Sequence, residues 1–242
     1  MRSAWIPLVM VGVFGCASGP APAPINAPLP AFAQQFHGWE ELALPGKVRT
    51  RYTHVSEHGQ ALLLAESVGS ASMFRRTIRI EPRNLGHVQF SWRVPELMET
   101  ADLTDRHASD SPVRLILAFE GDHDRLSMRN RMKFELAHAV TGEVPPFATL
   151  IYAWDNKAPV ESVIHSGRSD RIRKIVLESG KSHLNSWRRY ERDIAADFRK
   201  AFGEEPGALI AVGLMTDSDN TKSSAKAWYG PVWLVGPDGR KL

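Results

Sequence analysis

The sequence predicts a mainly β protein, an antiparallel β-sandwich of jelly-roll-like form that carries two short helices. Three observations lead to this fold class. Apolar and polar residues alternate with period two in many short segments, whereas only two segments show helical spacing. The chain has 242 residues, of which 43% are hydrophobic, so it can bury a sizeable core. Many short strands with two isolated helices favour a sandwich over repeated strand–helix–strand units.

The clearest strand pattern lies at Val88, Phe90 and Trp92, which are apolar and alternate with polar residues. Residues 208–215 are apolar on both faces, which predicts a strand in the middle of a sheet. Pro231 predicts a bulge or an edge position in the last strand. The nine predicted strands are 48–55, 61–67, 74–80, 88–94, 113–119, 148–154, 173–177, 208–215 and 225–235.

Two segments show the residue spacing of a helix. Residues 126–139 contain no glycine or proline and place Met128, Met132 and Leu136 four residues apart. Residues 190–202 repeat apolar side chains at the same spacing and are followed by a glycine, a common residue at the end of a helix. We expect these helices to lie in crossovers or to cap one end of the sandwich.

The amino terminus has the pattern of a secretory signal at residues 1–15. Arg2 is followed by an uncharged apolar stretch that is too short for a permanent membrane span. The segment Val13-Phe14-Gly15-Cys16 resembles a bacterial lipobox, and the resemblance implies that Cys16 becomes the acylated first residue of the mature protein. An ordinary secretory signal with an incidental cysteine is the alternative. Ala17 after the cysteine implies an outer-membrane lipid anchor on the periplasmic face of a Gram-negative envelope.

The segment after the predicted anchor is rich in proline and alanine. Five prolines between residues 20 and 30 predict an extended tether at 16–33, which would hold a single β-sandwich domain at 34–242 away from the membrane. Cys16 is the only cysteine, so the chain has no intramolecular disulfide and no metal site built from several cysteines.

The charge balance is close to neutral, with 30 basic against 27 acidic residues. This balance and the predicted periplasmic location exclude nucleic acid as a partner. Basic residues nevertheless cluster at 168–174 and again around Arg188 and Arg192. These clusters form either a solvated basic face or a site for an anionic ligand.

The segment that follows the predicted strand 208–215 carries oxygen ligands in close sequence. Asp217, Asp219 and Asn220 supply the ligand type that calcium prefers, and we expect them to form a candidate calcium site. The segment departs from an EF-hand loop because Lys222 stands where that loop requires glycine. The alternative is a turn in which these side chains bond local backbone amides.

Further candidates for ligand binding are polar or aromatic residues within or at the ends of predicted strands. Arg114 interrupts an apolar strand and is either solvated or paired with an acid such as Asp110. Trp228 and Tyr229 are neighbours on a strand, so they point to opposite faces and at least one is a candidate for ligand contact. The candidate ligand-binding residues are Arg93, Asp110, Arg114, Asp155, Trp228 and Tyr229.

Familiar catalytic motifs are missing from the sequence. It contains no zinc-binding His-Glu-x-x-His motif, and the segment Gly69-Ser70-Ala71-Ser72 lacks the second glycine of a nucleophile elbow. Neither zinc chemistry nor serine nucleophilic catalysis is therefore indicated.

Several segments together are similar to a bacterial family known as domain of unknown function 3047. The similarity covers about 36–234 and implies membership of that family, but it implies no activity because the family has none established. The segments that carry it include Phe90-Ser91-Trp92-Arg93, Leu150-Ile151-Tyr152-Ala153-Trp154 and Met215-Thr216-Asp217-Ser218-Asp219-Asn220-Thr221.

These observations favour a periplasm-facing lipoprotein, anchored to the membrane through Cys16, that acts as a ligand-binding or envelope-interaction module. A glycan is the favoured ligand, by analogy with other β-sandwich proteins. One alternative is a calcium-assisted hydrolase or lyase that acts on an envelope polysaccharide, with acids at Asp110, Asp217 and Asp219. Another is a structural partner of an envelope protein, which would use the basic residues at 168–174.

Overall fold

The structure is a computed structural model that describes residues 35–242. Its regular elements include two β-sheets and two α-helices. The mainly β, sandwich-like fold class is confirmed. The predicted signal peptide, the anchor at Cys16 and the tether lie outside the described residues. The strands are β1 (Trp39–Ala43), β2 (Arg51–Glu57), β3 (Gln60–Val68), β4 (Ser72–Ile80), β5 (His87–Arg93), β6 (Ser111–Phe119), β7 (Ala148–Asp155), β8 (Val163–His165), β9 (Ile172–Ser179), β10 (Arg188–Asp193), β11 (Leu209–Asp217), β12 (Ser224–Tyr229) and β13 (Trp233–Val235), and the helices are α1 (Met128–Thr141) and α2 (Ile194–Phe202).

The strands form a seven-stranded and a six-stranded sheet. The first has the order β1-β4-β11-β6-β7-β9-β8, and the second has the order β10-β5-β12-β3-β2, with β13 also paired to β5. All strand pairs are antiparallel except β7 with β9. The chain reaches this parallel pairing by adding β8 at the edge, antiparallel to β9, before β9 returns beside β7.

The main core lies between the two sheets and consists of the apolar side of each alternating strand. Trp92, Tyr152 and Trp154 are almost fully buried there, as the alternation predicted for the two tryptophans. Helix α2 adds Phe198, whose ring packs edge-on against Phe119 at 4.7 Å between centroids. A second, smaller apolar cluster covers the opposite face of the seven-stranded sheet, and we call this face the outer face.

The predicted helix at 190–202 is wrong in its first part. Residues Arg188–Asp193 form β10, in which Tyr190 packs against Phe90 and Trp92 in the core. The helix begins at Ile194 because the Asp193 side chain accepts a hydrogen bond from the Ala196 amide and caps it. A period of four in three apolar residues is therefore too short a signal to place the start of a helix.

Other differences concern short edge elements. The predicted last strand is two strands, β12 and β13, interrupted at Pro231, a residue that cannot donate to a ladder. Two further strands, β1 and β8, were not predicted; they have five and three residues and lie at the two edges of the seven-stranded sheet. Edge strands of this length are partly exposed and show little alternation.

Helix α1 is confirmed, but its apolar stripe faces solvent. Ser127 caps its start and Gly142 ends it in the left-handed region, with φ of 73°. Met128, Met132 and Leu136 are 81%, 65% and 66% exposed, so four-residue spacing of apolar residues does not mark the buried side here. Among residues 35–242, no helix has the length and apolarity to cross a bilayer.

Candidate functional site

A charged cleft of about 200 Å³ lies at one end of the outer face of the seven-stranded sheet. The neighbouring strands β11, β6, β7 and β9 form its floor, and adjacent loops form its walls. Cationic side chains outnumber carboxylates among the residues that line it. The charged or amide side chains of the cleft are Lys47, Arg106, Arg114, Arg168, Lys174, Asp217, Asp219 and Asn220.

The floor of the charged cleft contains a buried ion pair between β6 and β11. Arg114 Nε donates to Asp217 Oδ1 at 2.7 Å and Nη2 donates to Oδ2 at 3.0 Å, and both side chains are 5% exposed. Arg114 Nη2 also donates to the Ser109 carbonyl at 2.7 Å. Burial raises the pKa of the Asp217 carboxyl above its usual range, and the Arg114 guanidinium opposes that rise. The predicted ion pair of Arg114 thus exists, but its partner is Asp217, not Asp110.

Asp110 holds the loop that follows β11. Its Oδ1 accepts hydrogen bonds from the amide and the side chain of Asn220, at 3.2 and 2.6 Å. Its Oδ2 accepts from the amide and the hydroxyl of Thr221, both at 2.7 Å. These four donors use the acceptor capacity of a carboxylate, so Asp110 positions the loop of the charged cleft.

The predicted calcium ligands lie together, but each already has donors or a counter-ion. Carboxylate oxygens of Asp110, Asp217 and Asp219 lie within 4.8 Å of one another, a grouping compatible with a cation. The Lys47 ammonium forms a salt bridge with Asp219, and Asn220 Oδ1 accepts from Arg168 Nη2 at 2.9 Å. A calcium ion at this place would therefore compete with resident cationic side chains for the same oxygens.

Lys174 is a buried lysine in the floor of the charged cleft. Its Nζ donates to the Leu103 carbonyl at 2.9 Å and to Ser109 Oγ at 2.6 Å. Burial, reinforced by the nearby charge of Arg114, lowers the pKa of Lys174 from 10.5 to about 7. Lys174 lies in the basic segment predicted to be a solvated face or an anion site, and its burial was not predicted. The available signal was its position between Ile172 and Val176 on one face of the same strand.

The rim of the charged cleft carries cationic side chains without acidic partners. Arg106 and Arg168 are exposed, and neither forms a salt bridge with any residue in the described part of the chain. The basic segment 168–174 is not one continuous face, because Arg171 pairs with Glu204 at 2.5 Å and Lys174 is buried. Within this segment, Arg168 is the residue that brings an unpaired positive charge to the rim of the cleft.

Two predicted ligand-binding residues support the charged cleft from behind. Asp155 Oδ2 accepts from the Leu103 amide at 2.8 Å, and Oδ1 accepts from the amides of the loop that follows β7. The Tyr229 hydroxyl donates a hydrogen bond to the Met215 carbonyl at 2.7 Å and accepts one from the Arg114 amide at 3.3 Å. Burial raises the pKa of Tyr229 above its usual range. Both side chains are buried and are not placed to touch a ligand.

Arg93 and Trp228 lie elsewhere, on neighbouring strands of the six-stranded sheet. The Arg93 guanidinium is 4.3 Å from the centroid of the Trp228 ring and 5.2 Å from that of Trp187, and it pairs with Glu57 at 2.7 Å. This cation–π contact occupies the Trp228 ring. The predicted candidates are therefore divided between two sheets, and the charged cleft unites Arg114, Asp217, Asp219 and Asn220, with Asp110 behind them.

Solved structures with a similar fold are distant in sequence. The enzymatically active domain of bacteriophage CBA120 tailspike protein 4 is 10% identical with a TM-score of 0.39, and the match covers 85% of this chain and 20% of the tailspike chain. The xyloglucanase domain of NopAA, a type three effector from Sinorhizobium fredii in complex with cellobiose, is 9% identical with a TM-score of 0.41, covering 82% of this chain and 94% of that chain. The mannan-recognising carbohydrate-binding module TmCBM27 is 12% identical with a TM-score of 0.30, covering 85% of this chain and 92% of that chain. At these TM-scores the likenesses carry no argument about what this chain binds.

Sequence comparison gives a family. No curated protein matches the chain. Residues 37–233 match the family described as protein of unknown function (DUF3047), which accounts for most of the chain, and the protein therefore belongs to this family.

Proposed function

We propose that this protein is a binding module of the bacterial cell envelope, anchored through an acylated Cys16, whose charged cleft binds an acidic glycan. The observation that carries the proposal is the excess of cationic groups at one cleft. Five cationic side chains line it against the carboxylates of Asp217 and Asp219, and Arg106 and Arg168 at its rim have no salt-bridge partner among residues 35–242. An anionic group on the ligand would supply the missing counter-charge.

The arrangement of the cleft also favours a polar ligand with several hydrogen-bonding groups. Arg114 and Lys174 are held by neighbours on the floor, whereas Lys47, Arg106 and Arg168 are exposed above them. The buried pair holds the floor in place. Above it, Arg106 and Arg168 have no acidic partner and are accessible to the carboxylates or hydroxyls of a sugar, whereas Lys47 pairs with Asp219. Arginine forms paired hydrogen bonds with carboxylates, which gives orientation as well as affinity.

Binding of an acidic and a neutral polysaccharide to the full chain tests this proposal. We expect the chain to bind polygalacturonate but not dextran in calorimetry, with an affinity that falls as salt is added. Arg168→Ala should weaken binding by about tenfold to a hundredfold, because a charged hydrogen bond is worth roughly 1.5–3 kcal/mol. Arg189→Ala is the matched control, since Arg189 is exposed on β10 of the other sheet. Equal binding of both polysaccharides, or equal loss in both variants, would contradict the proposal.

The anchor is tested separately because it lies outside the described residues. Mass spectrometry of the protein from its native membrane should show an acylated Cys16 as the first residue, and Cys16→Ser should release the chain from the membrane fraction. Two or more acyl chains give stable anchoring, since each buried methylene contributes roughly 0.8 kcal/mol. A soluble wild-type chain that still carries residues 1–15 would contradict an anchored module.

A lyase is the second candidate function, and one observation favours it. The pKa of Lys174 is about 7, so in solution at that pH half of the molecules carry a neutral amine at this position. A neutral amine that donates hydrogen bonds to Leu103 and Ser109 still has a lone pair. That lone pair would accept the proton from the sugar carbon next to the carboxylate. The carbon–oxygen bond at the neighbouring carbon then breaks, a carbon–carbon double bond forms, and the leaving oxygen takes a proton from water.

The ultraviolet absorbance of an unsaturated sugar product tests the lyase directly. We expect it to rise when the full chain is incubated with polygalacturonate and to stay flat with Lys174→Met. Flat absorbance with the wild type, despite binding, would reject the lyase and leave the binding module. A hydrolase with two carboxylates is less well supported, because Asp110 and Asp217 are both occupied by hydrogen-bond donors.

A further inference from the structure

An apolar groove of about 1040 Å³ runs along the outer face of the seven-stranded sheet. Its floor is formed by small and aliphatic side chains of β4, β11 and β6, and one wall is the last part of α1 with the segment that follows. Apart from backbone groups, most of the surface that lines it is aliphatic. Representative lining residues are Leu42, Met73, Ile116, Ala118, Val140 and Val144.

The apolar groove and the charged cleft are continuous. Leu44 lines both of them. Met73 of the groove is the register partner of Met215 in the cleft, and Ile116 of the groove is the partner of Ile151 in the cleft. Paired residues on one face of a sheet lie roughly 5 Å apart, so the two hollows meet without a barrier of backbone between them.

The chemistry of the groove differs from that of a sugar-binding surface. None of the described residues that line it is aromatic, whereas sugar rings commonly stack on aromatic faces. The charged side chains that line it are paired: Arg75 donates two hydrogen bonds of 2.7 Å to Glu143, and Arg79 pairs with Glu81 and Glu120 at 2.9 Å. Val140 and Val144 are 61% and 65% exposed at the wall, so aliphatic surface is available to a ligand.

The dimensions suit one hydrocarbon chain. The groove follows β4 from Met73, which lies opposite Met215 of the cleft, to Arg79, and these six steps along the strand span roughly 20 Å. One leaflet of a bilayer has a hydrocarbon thickness of about 15 Å, half of the roughly 30 Å core. A chain of the length found in membrane lipids therefore fits along the groove when its polar end lies in the cleft.

We infer that the ligand is an anionic glycolipid, whose acidic sugar occupies the charged cleft while its alkyl chain lies in the apolar groove. This inference rests on the proposed function and names the ligand class more closely. The continuity of the two hollows carries it, together with the positive charge at one end and the aliphatic lining at the other. A purely polar glycan would leave the aliphatic surface exposed, and an uncharged lipid would leave the rim cations without a counter-charge.

Alkyl glucuronides of increasing chain length are the probes, used below their micellar concentrations. The protein is the full chain with Cys16→Ser, so that no acyl anchor competes for the groove. We expect affinity measured by calorimetry to rise from glucuronate through hexyl to decyl glucuronide, by at most about fourfold for each added methylene. Octyl glucoside, which has the same chain as octyl glucuronide but no charge, should bind at least tenfold more weakly.

Two substitutions on α1 form a matched pair for this experiment. Val140→Asp puts a charge in the wall of the groove and should abolish the dependence on chain length while glucuronate binding is retained. Met132→Asp is the control, since Met132 is similarly exposed on the same helix but does not line the groove. Because both positions are exposed, neither variant threatens the fold.

The outcomes separate the inference from the proposed function. Glucuronate binding that gains nothing from an alkyl chain would overturn the glycolipid and leave the acidic glycan. A chain-length dependence that survives Val140→Asp, or is lost equally in Met132→Asp, would also overturn it. Equal affinities for octyl glucoside and octyl glucuronide would refute the anionic site itself, and with it both proposals.

Discussion

The substitution Lys174→Met is expected to change how the stability of this protein depends on pH. Burial lowers the pKa of Lys174 from 10.5 to about 7. Between these two values the unfolded chain holds a proton on this side chain that the folded chain has lost. Because the unfolded state binds more protons, the free energy of unfolding of the wild type rises with pH in this window, by up to about 1.4 kcal/mol per unit.

The size of the effect follows from the two pKa values. From about pH 7 to pH 9, Lys174 raises the free energy of unfolding by about 2 kcal/mol. Below about pH 6 its contribution becomes constant, because the lysine is protonated in both the folded and the unfolded state. Around Lys174, the charges of Arg114 and Arg168 disfavour its protonated form, whereas Asp217 and Asp155 favour it. Both proteins contain these neighbours, so the difference in stability between the two proteins reports the proton bound by Lys174.

Urea unfolding followed by tryptophan fluorescence at several pH values measures this difference. The stability of the wild type minus that of Lys174→Met should increase by about 2 kcal/mol from about pH 7 to pH 9. The lost hydrogen bonds to Leu103 and Ser109 shift all values by a constant. Lys181→Met, in an exposed turn, should show no such trend. A difference that stays constant over this range would refute the assignment of a buried, neutralised lysine.

Three further predictions concern the same cleft. Arg114→Met should lower the free energy of unfolding by about 3–5 kcal/mol, because Asp217 is left buried without its cationic partner. Adding Asp217→Leu should restore most of the loss in a double-mutant cycle, and equal losses in the single and double variants would contradict the pairing. Asp110→Ala should lower the free energy of unfolding by about 3 kcal/mol and speed amide hydrogen exchange at Asn220 and Thr221. Asp105→Ala, at an exposed position, should do neither. Unchanged exchange in Asp110→Ala would argue against Asp110 as the residue that holds the loop. If calcium binds at Asp217, Asp219 and Asn220, adding calcium should raise the Tm and a chelator should reverse the rise. Lys47→Gln should enlarge the rise in Tm, because Lys47 competes with calcium for Asp219. No shift of the Tm in either protein would reject the calcium site.

Strand positions were predictable because apolar and polar residues alternate along a strand that buries one of its two faces. The pattern at Val88, Phe90 and Trp92 reflects the core between the sheets, and that part of the prediction is confirmed. The same reasoning failed for α1, where Met128 and Met132 face solvent. Periodicity shows that one face is apolar, but the partner of that face is decided by tertiary contacts that are distant in sequence.

The composition of the cleft was only partly predictable. The loop residues Asp217, Asp219 and Asn220 stand together in the sequence, so their grouping is local. The pairing of Arg114 with Asp217 depends on the register of β6 against β11, and a bulge between Met215 and Asp217 changes that register. A shift of one residue would have turned the carboxylate away, and no sequence pattern specifies it.

Buried charged groups that lower the stability of the fold lie at this end of the outer face, and their location is a reason to regard it as functional. A buried arginine–carboxylate pair is often no more stabilising than apolar residues of the same volume, and a buried lysine with a lowered pKa opposes folding at neutral pH. Stability alone would favour apolar side chains at Arg114, Lys174 and Asp217, as it does on the rest of this face around Ile116 and Ile151. All three instead line a single cleft whose rim has unpaired cations and whose far end opens into an aliphatic groove. Charged groups that weaken the fold and together line one cleft are better explained by a ligand than by the stability of the sandwich.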